Sequence, residues 1–443
     1  MKHMSSLIKP LFAAILLAGM TLTAAAQAED SADAVARGSY LAKVGDCVAC
    51  HTSRDGKEFA GGLAMATPIG TIYSTNITPD TEHGIGRFSY EDFERAVRQG
   101  IRKDGSSLYP AMPYPSYAAV SDQDMRDLYA YFMHGVKPVA QANRDSAIPW
   151  PLSMRWPLAL WRKLFAPSVG VPAAPASASP QIARGAYLVE GLGHCGACHT
   201  PRAITMQEQA MTAADGSRFL AGSSQPIDGW IASSLRGEQR TGLGRWSQEQ
   251  LKAFLQSGRN DHSAAFGGMS DVVGHSSQYM NEADLDAIAA YLKSLPPATA
   301  GDQAFVADDA AGKALWHGDD KAVGAATYID SCAACHRTDG TGYQRVFPAL
   351  GGNPVVMGED PASLIHIVLA GGTLGATGKA PSTFTMPAFG WRLSDAEVAG
   401  VVSFIRASWG NRASAVDASQ VARIRKTLTP AEMKISPPAG KAG

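Results

Sequence analysis

The five-residue string C-x-x-C-H occurs three times in this chain of 443 residues, and the three copies contain all six of its cysteines. The copies lie at residues 47–51, 195–199 and 332–336. In each copy two thiols can form thioether bonds to one haem, and the adjacent histidine can bind the haem iron from its proximal side. We therefore predict three covalently bound haem c groups, attached through Cys47, Cys50, Cys195, Cys198, Cys332 and Cys335, with the iron ligands His51, His199 and His336.

Other uses of paired cysteines fit this pattern less well. A zinc site would gather four ligands from two neighbouring pairs, whereas these copies are separated by more than a hundred residues. A thioredoxin-like redox pair would occur once, near a βαβ pattern, and would need no histidine after it. Both alternatives leave the regular histidine unexplained.

The first 28 residues have the pattern of a secretory signal peptide. Lys2 and Lys9 form a basic start, residues 11–20 are apolar, and Ala26-Gln27-Ala28 matches an A-x-A cleavage site. Because bacteria join haem to such thiols after export, we predict that the mature chain lies at the periplasmic face of the inner membrane. The alternative is an uncleaved anchor, although the apolar run is short for the ~20 residues that span a bilayer.

Length and charge restrict the function further. The mature chain, roughly 415 residues, exceeds one ordinary domain of ~100–200 residues and has room for three. Lys and Arg together number 39 and Asp and Glu together number 40, so the chain has no basic excess. We therefore expect no binding to nucleic acid.

A helical pattern surrounds each string. An approach helix precedes it, in which residues 36–41 (A-R-G-S-Y-L) recur as 183–188 and, more loosely, as 324–329. A middle helix follows at residues 90–98, 248–257 and 361–370, and then a closing helix begins behind Ser121, Asn281 or Ser394. Each of these three residues can cap its helix, and an acidic residue three positions later completes a capping-box pattern. Gly38 and Gly185 would let the approach helix pack closely against the closing helix.

These repeats predict an all-α fold, with three tandem cytochrome c domains joined by linkers. Proline and small residues fill 166–180, which is typical of an extended linker. The predicted divisions are a signal peptide at 1–28, domain 1 at 29–145, an aromatic and basic segment with a linker at 146–180, domain 2 at 181–297, a linker at 298–318, domain 3 at 319–411 and a C-terminal tail at 412–443.

A haem iron bound by one histidine needs a second axial ligand. Methionine sulfur is a common choice in electron-transfer haems because it raises the reduction potential. Met112 and Met386 lie in proline-containing loops between the middle and closing helices, where a loop can reach back over a haem. In the second domain we predict Met269, with Met280 as the nearby alternative, and Met65 is a weaker alternative to Met112.

Aromatic and basic residues alternate in the segment before the first linker. Its members are Trp150, Arg155, Trp156, Trp161, Arg162, Lys163 and Phe165. Such a mixture suits a membrane interface. Packing between the haem domains or against a partner subunit would explain it equally well. A second candidate contact is the apolar stripe of Val421, Ile424 and Leu428, although a loose solvated tail is the simpler interpretation there.

The chain resembles the three-haem cytochrome c subunits of membrane-associated bacterial dehydrogenases, such as gluconate 2-dehydrogenase and the alcohol, sorbitol and fructose dehydrogenases. The passages that carry the resemblance are Y-S-T-N-I-T-P-D at 73–80, L-Y-P-A-M-P-Y-P-S-Y at 108–117 and M-R-W-P-L at 154–158. The resemblance implies a catalytic dehydrogenase partner, often containing FAD, a possible small third subunit, and electron transfer through this chain to ubiquinone at the membrane surface.

Three alternatives stay open. Similar cytochrome subunits serve molybdenum hydroxylases and aldehyde dehydrogenases. A haem enzyme would need one five-coordinate haem, for which only the second domain has room. A free electron shuttle would have no fixed partner. We find no nucleophile triad, nucleotide loop or G-x-G-x-x-G after a strand, so we predict no catalytic residues in this chain.

Overall fold

The computed structural model describes residues 31–172 and 178–434. The predicted signal peptide, residues 173–177 of the predicted linker and residues 435–443 lie outside these ranges. We call residues 29–145, 181–297 and 319–411 unit 1, unit 2 and unit 3. Among the described residues, no helix combines the length and apolar character needed to cross a membrane.

Unit 1 contains five helices and a hairpin. The helices are α1 (31–44), α2 (Cys47–His51), α3 (Tyr90–Gln99), α4 (Tyr114–Tyr117) and α5 (Asp122–Ala130), and Tyr131–Gly135 continues α5 as a wider π-helical turn. Strands β1 (Ala64–Thr67) and β2 (Gly70–Tyr73) pair antiparallel. Between units 1 and 2, Trp156–Phe165 forms α6.

Unit 2 repeats the helical order of unit 1. Its helices are α7 (Pro180–Ala186), α8 (Gly196–His199), α9 (Gln248–Ser257), α10 (Gly268–His275) and α11 (Glu282–Ser294), and Tyr187–Leu192 continues α7 as a π-helical turn. Short 3₁₀ turns lie at Ala213–Asp215 and Ser277–Tyr279.

Unit 3 and its flanks supply the remaining elements. The helices are α12 (Ala310–Trp316), α13 (Ala325–Ser331), α14 (Ala333–His336), α15 (Pro354–Met357), α16 (Ala362–Ala370), α17 (Asp395–Ala407) and α18 (Ala418–Arg425). Strands β3 (Gly372–Leu374) and β4 (Phe384–Met386) form a second antiparallel hairpin. With two hairpins, the described chain is helix-rich rather than strictly all-α.

Capping residues fix where the middle helices begin and end. Ser89 and Ser247 each form a reciprocal capping box at the start of α3 and α9. Gly100 and Gly258 end these helices in the left-handed conformation, which costs glycine little. The predicted middle helices are therefore confirmed to within one residue at each end.

Glycines set the spacing between approach and closing helices, as predicted. A Cβ on Gly38 would lie 1.9 Å from the carbonyl oxygen of Asp127, and one on Gly185 would lie 2.1 Å from that of Ala287. In unit 3 the equivalent contact belongs to Gly324, whose Cβ would lie 2.1 Å from the oxygen of Gly400. The sequence pattern places Gly324 opposite residue 36, so the structure shifts that alignment by two residues.

Units 1 and 2 share one hydrophobic core. Leu41, Phe93 and Leu128 from unit 1 belong to the same buried cluster as Leu188 and Ile288 from unit 2. The closing helices α5 and α11 are capped by Ser121 and Asn281 as predicted. The hydroxyls of Tyr187 and Tyr40, each from the opposite unit, then accept hydrogen bonds from the backbone N–H of Ser121 and Asn281, at 3.1 and 3.2 Å.

Unit 3 has a separate core that extends into both of its flanks. Leu315 of α12, within the predicted linker 298–318, belongs to this core, and so do Val421, Leu428 and Met433 of the predicted tail. Val421 is fully buried. Residues 418–434 therefore pack against unit 3 instead of forming a loose, solvated tail.

Candidate haem-binding sites

Each C-x-x-C-H string begins a short helical turn. The two cysteines are three residues apart, so both thiols lie on one face of the turn, and the histidine follows at the next position. All six cysteines lie among the described residues, and none forms a disulfide there. We call the strings site 1 (47–51), site 2 (195–199) and site 3 (332–336).

The three histidines share one hydrogen-bond arrangement. Nδ1 of His51 lies 2.7 Å from the carbonyl oxygen of Thr75, and Nδ1 of His199 lies 2.7 Å from that of Ser233. Nδ1 of His336 lies 3.0 Å from the carbonyl oxygen of Pro348. A carbonyl can only accept, so each Nδ1 carries the proton and each Nε2 keeps its lone pair for a metal.

Burial strengthens this preference for the neutral ring. It lowers the pKa of His51, His199 and His336, and the bond to the backbone carbonyl opposes this effect only in part. A neutral imidazole with a fixed Nδ1–H is the form that binds iron. The arrangement therefore fits a haem at each of the three sites.

A buried side chain in unit 2 supports the same conclusion. Trp246 is 5% exposed, and its indole Nε1–H has no hydrogen-bond partner among the described residues. A buried donor normally has an acceptor. A haem carries two propionate groups, and such a carboxylate would satisfy the indole N–H.

The predicted methionines Met112 and Met386 pack against the same cores as cysteines of the C-x-x-C-H strings. Met112 packs against the core shared by units 1 and 2, as do Cys47 of site 1 and Cys195 of site 2. Met386 and Cys332 belong together in the core of unit 3. Met386 ends β4 and pairs with Gly372 of β3, so the glycine-rich segment at residues 371–375 forms the other strand of the hairpin that carries this methionine.

The methionines of unit 2 lie in different surroundings. Met269 is the second residue of α10 instead of a loop residue, and it packs with Val273 and with Leu374 of unit 3. Met280 packs with Cys195 against the shared core. Met280 immediately precedes the N-cap of α11, however, where unit 1 has Val120 and unit 3 has Leu393, both buried.

A hydrophobic residue before the N-cap commonly packs on the first turn of its helix as a hydrophobic staple. This function accounts for the burial of Met280 and leaves Met269 as the candidate ligand. Met65, the weaker alternative to Met112, lies on β1 opposite Ile72 and packs with it in a small cluster of its own.

The sequence did not identify the groups around the sites. The carbonyls of Thr75, Ser233 and Pro348 follow their histidines by 24, 34 and 12 residues, so no constant spacing marks them. A partial signal existed for Thr75, which lies inside the run at 73–80 that carries the family resemblance.

Comparison with known proteins agrees with these geometries. The family model described as "Cytochrome c" matches residues 35–135, 182–296 and 322–409, and each match contains one site. This chain belongs to the cytochrome c family. As a member of that family, it carries covalently bound haem c.

Relatives of this cytochrome c match it along almost the whole length. It is 62% identical over 413 residues to the gluconate 2-dehydrogenase cytochrome c subunit of Pantoea cypripedii, covering 92% of this chain and 94% of the relative. It is 53% identical to the cytochrome c subunit of the quinone alcohol dehydrogenase of Gluconacetobacter polyoxogenes, and the match covers 96% of this chain and 91% of the relative. It is 37% identical to the fructose dehydrogenase cytochrome subunit of Gluconobacter japonicus, and the match covers 93% of this chain and 87% of the relative.

Proposed function

We propose that this cytochrome c is the electron-transfer subunit of a periplasmic dehydrogenase and carries three haems in three tandem cytochrome c domains. The observation that carries the proposal is the hydrogen bond from the proximal histidine Nδ1 to a backbone carbonyl, which recurs at all three sites. When bound, each haem supplies an iron that exchanges one electron between its ferric and ferrous forms.

The protein's own groups hold the cofactors and limit their chemistry. Two thioether links and a fixed histidine would hold each haem, and Met112, Met269 and Met386 would supply the second ligand to its iron. With histidine and methionine both bound, an iron has no open position for substrate. Substrate oxidation therefore belongs to a partner subunit.

We propose that the partner is a catalytic dehydrogenase subunit, which by family resemblance is a flavoprotein with FAD, accompanied by a small third subunit. The identity of 62% to a gluconate 2-dehydrogenase subunit supports gluconate as the substrate of that partner. The name of the quinone alcohol dehydrogenase relative supports ubiquinone as the acceptor. Alcohols and sugars are the alternative substrates.

The aromatic segment has two distinct faces. On the inner face of α6, Trp161 donates its indole N–H to the carbonyl oxygen of Thr205 in unit 2, at 2.8 Å. The same ring lies edge-on to Tyr114 of unit 1, with a centroid distance of 6.4 Å, and contacts Phe165. This face therefore packs between units 1 and 2, as one of the two interpretations of the segment predicted.

The outer face supports the other interpretation. Trp156, Leu160 and Leu164 are 69%, 55% and 64% exposed. Ile204 is 98% exposed and precedes Thr205, whose carbonyl oxygen accepts the hydrogen bond from Trp161. Residues 146–180 include three basic residues and no acidic ones. An exposed apolar face beside basic side chains favours contact with an anionic lipid surface. We propose that this face rests on the periplasmic side of the inner membrane.

The function is tested by purifying the tagged chain from native membranes in mild detergent and identifying the co-purifying subunits by mass spectrometry. We expect a dehydrogenase subunit, and we expect gluconate to reduce the haems of the complex but not those of the isolated chain. Added ubiquinone analogue should then reoxidise the haems. Substrate turnover by the isolated chain, together with a high-spin haem spectrum, would instead identify a haem enzyme.

A further inference from the structure

A stacked pair of rings joins units 2 and 3. The rings of Trp230 in unit 2 and His366 in unit 3 have centroids 4.0 Å apart and planes inclined by 24°. Nδ1 of His366 donates to the carbonyl oxygen of Gly229 at 3.2 Å. One turn earlier on α16, the hydroxyl of Ser363 accepts from the backbone N–H of Ile231 at 2.7 Å and donates to the carbonyl oxygen of the same residue at 3.2 Å.

On the side of unit 2, this contact adjoins two segments: the one whose carbonyl orients His199 and the one that leads to Met269. The carbonyl that orients His199 belongs to Ser233, three residues after Trp230. The Trp230 ring also contacts Phe266 at a centroid distance of 5.0 Å, and a Cβ on Gly267 would lie 2.7 Å from the same ring. Phe266 and Gly267 lead directly into the helix that carries Met269.

On the side of unit 3, the contact leads to the distal loop of site 3. His366 lies on α16, which ends at Ala370 and is followed at once by β3. Gly372 of β3 pairs with Met386. His366 is 8% exposed and Ser363 is 2% exposed, so this contact is part of a packed junction.

We propose that Trp230 and His366 are positioning residues that hold sites 2 and 3 at a fixed separation for electron transfer between their haems. The inference rests on the proposed function, because it requires haems at both sites. Domains joined by modest interfaces move relative to one another by default. A buried ring stack with three flanking hydrogen bonds opposes that motion, and it acts on segments that adjoin the candidate ligands Met269 and Met386.

The test uses the full-length chain loaded with haem. His366→Asn keeps a side-chain donor but removes the ring, whereas His366→Phe keeps a ring and removes the donor. Trp230→Ala and Trp230→Phe form the matching pair on unit 2. The control is Tyr90→Ala, which removes an aromatic contact inside unit 1, where the rings of Tyr90 and Tyr129 have centroids 5.8 Å apart.

Two measurements are made on each variant. The first follows the redistribution of one electron among the haems after rapid photochemical reduction. The second follows hydrogen exchange of the α16 backbone, which does not depend on redox activity. Because an aromatic pair shifts an equilibrium by roughly twofold to tenfold, we expect His366→Asn and Trp230→Ala to slow exchange between haems 2 and 3 by about that factor and to accelerate hydrogen exchange in α16. The ring-keeping variants and the control should resemble the wild type.

The outcomes distinguish a failure of the proposed function from a failure of the positioning role. If the wild-type haems exchange no electrons, the proposed function fails. If they exchange rapidly and both ring-deleting variants match the wild type in both measurements, the positioning role of Trp230 and His366 is refuted. An equal effect of Tyr90→Ala would refute it as well. If Trp230→Ala fails to bind haem, the positioning role is judged from His366→Asn, because that substitution leaves the sequence of unit 2 unchanged.

Discussion

Tyr40 of unit 1 donates its hydroxyl hydrogen to Oδ2 of Asp284 in unit 2, across 2.7 Å and 244 positions of sequence. The same hydroxyl accepts from the backbone N–H of Asn281. The hydroxyl thus lies between the backbone N–H of Asn281 and the carboxylate of Asp284, two groups that a reciprocal capping box would join directly. Tyr187 makes the same pair of bonds with Ser121 and Asp124 of unit 1.

Removing one of these hydroxyls should weaken the contact between units 1 and 2. We expect Tyr40→Phe to lower the free energy of unfolding by about 1–3 kcal/mol, because the buried carboxylate of Asp284 loses a hydrogen-bond donor. Denaturant unfolding of the haem-loaded chain measures the change. Tyr343→Phe in unit 3, where the tyrosine is 48% exposed, is the matched control. Equal effects of the two substitutions would contradict the assignment.

Acid should weaken the same contact. Burial alone would raise the pKa of Asp284, but hydrogen bonds from Arg184 and Tyr40 outweigh it and hold the pKa below its ordinary value of 3.8. A depressed carboxyl pKa adds stability above the ordinary value, and this stability is lost as the pH falls below 3.8 towards the folded-state pKa.

Asp284→Asn should therefore be less stable than the wild type at neutral pH and should lose less stability on acidification. Unfolding midpoints measured at neutral pH and near pH 3 test this. Asp286→Asn, at a half-exposed carboxylate paired with Lys252, is the control. A variant whose loss on acidification parallels the wild type would exclude Asp284 as the responsible group.

Covalent attachment is the most direct prediction. The mature chain, cut after Ala28, should exceed its apoprotein mass by three haems, and acid acetone should extract none of them. A double substitution of Cys332 and Cys335 by alanine should reduce the number to two and leave the spectra of the other haems intact. Haem release from the wild type into acid acetone would show that the thioether links are absent.

The methionine assignments make separate predictions. Replacing Met112, Met269 or Met386 by alanine should convert one haem in each case to a high-spin or water-ligated form with a lower reduction potential. Met280→Ala should leave the low-spin spectrum unchanged and reduce stability, by less than the roughly 2–5 kcal/mol of a fully buried methionine, because Met280 is only partly buried. A spectral change in Met280→Ala without one in Met269→Ala would reverse the assignment in unit 2.

The outer face of α6 should bind lipid. Replacing Trp156, Leu160 and Leu164 by serine removes three side chains that contribute up to about 1.5–3 kcal/mol each when fully withdrawn from water. We expect the variant to leave the membrane fraction with unchanged haem spectra.

Two variants control for this prediction. Trp391→Ser changes an exposed tryptophan of unit 3 and should stay with the membrane. Trp161→Ser should reduce stability instead of membrane binding, because its ring packs between units 1 and 2. If the triple variant still sediments with membranes and still reduces quinone, the partner subunit provides the attachment.

Local sequence patterns predicted the local features of this chain well. The strings, the caps Ser121, Asn281 and Ser394, and the close approach at Gly38 and Gly185 all depend on residues a few positions apart. Contacts between distant segments left no such pattern. The carbonyl partners of the histidines, the two faces of α6 and the stack of Trp230 on His366 depend on how folded units meet. The close approach at Gly324 was not predicted, because its contact with Gly400 joins two segments that are distant in sequence.

The reciprocal bonds of Tyr40 and Tyr187 make the contact between units 1 and 2 isologous, as in a twofold symmetric homodimer. Here both halves belong to one chain, so their association is intramolecular. Its effective concentration is set by the connecting segment and does not change on dilution. A pair of separate one-haem proteins would part at low concentration, whereas the first two haem sites of this chain stay paired at any expression level.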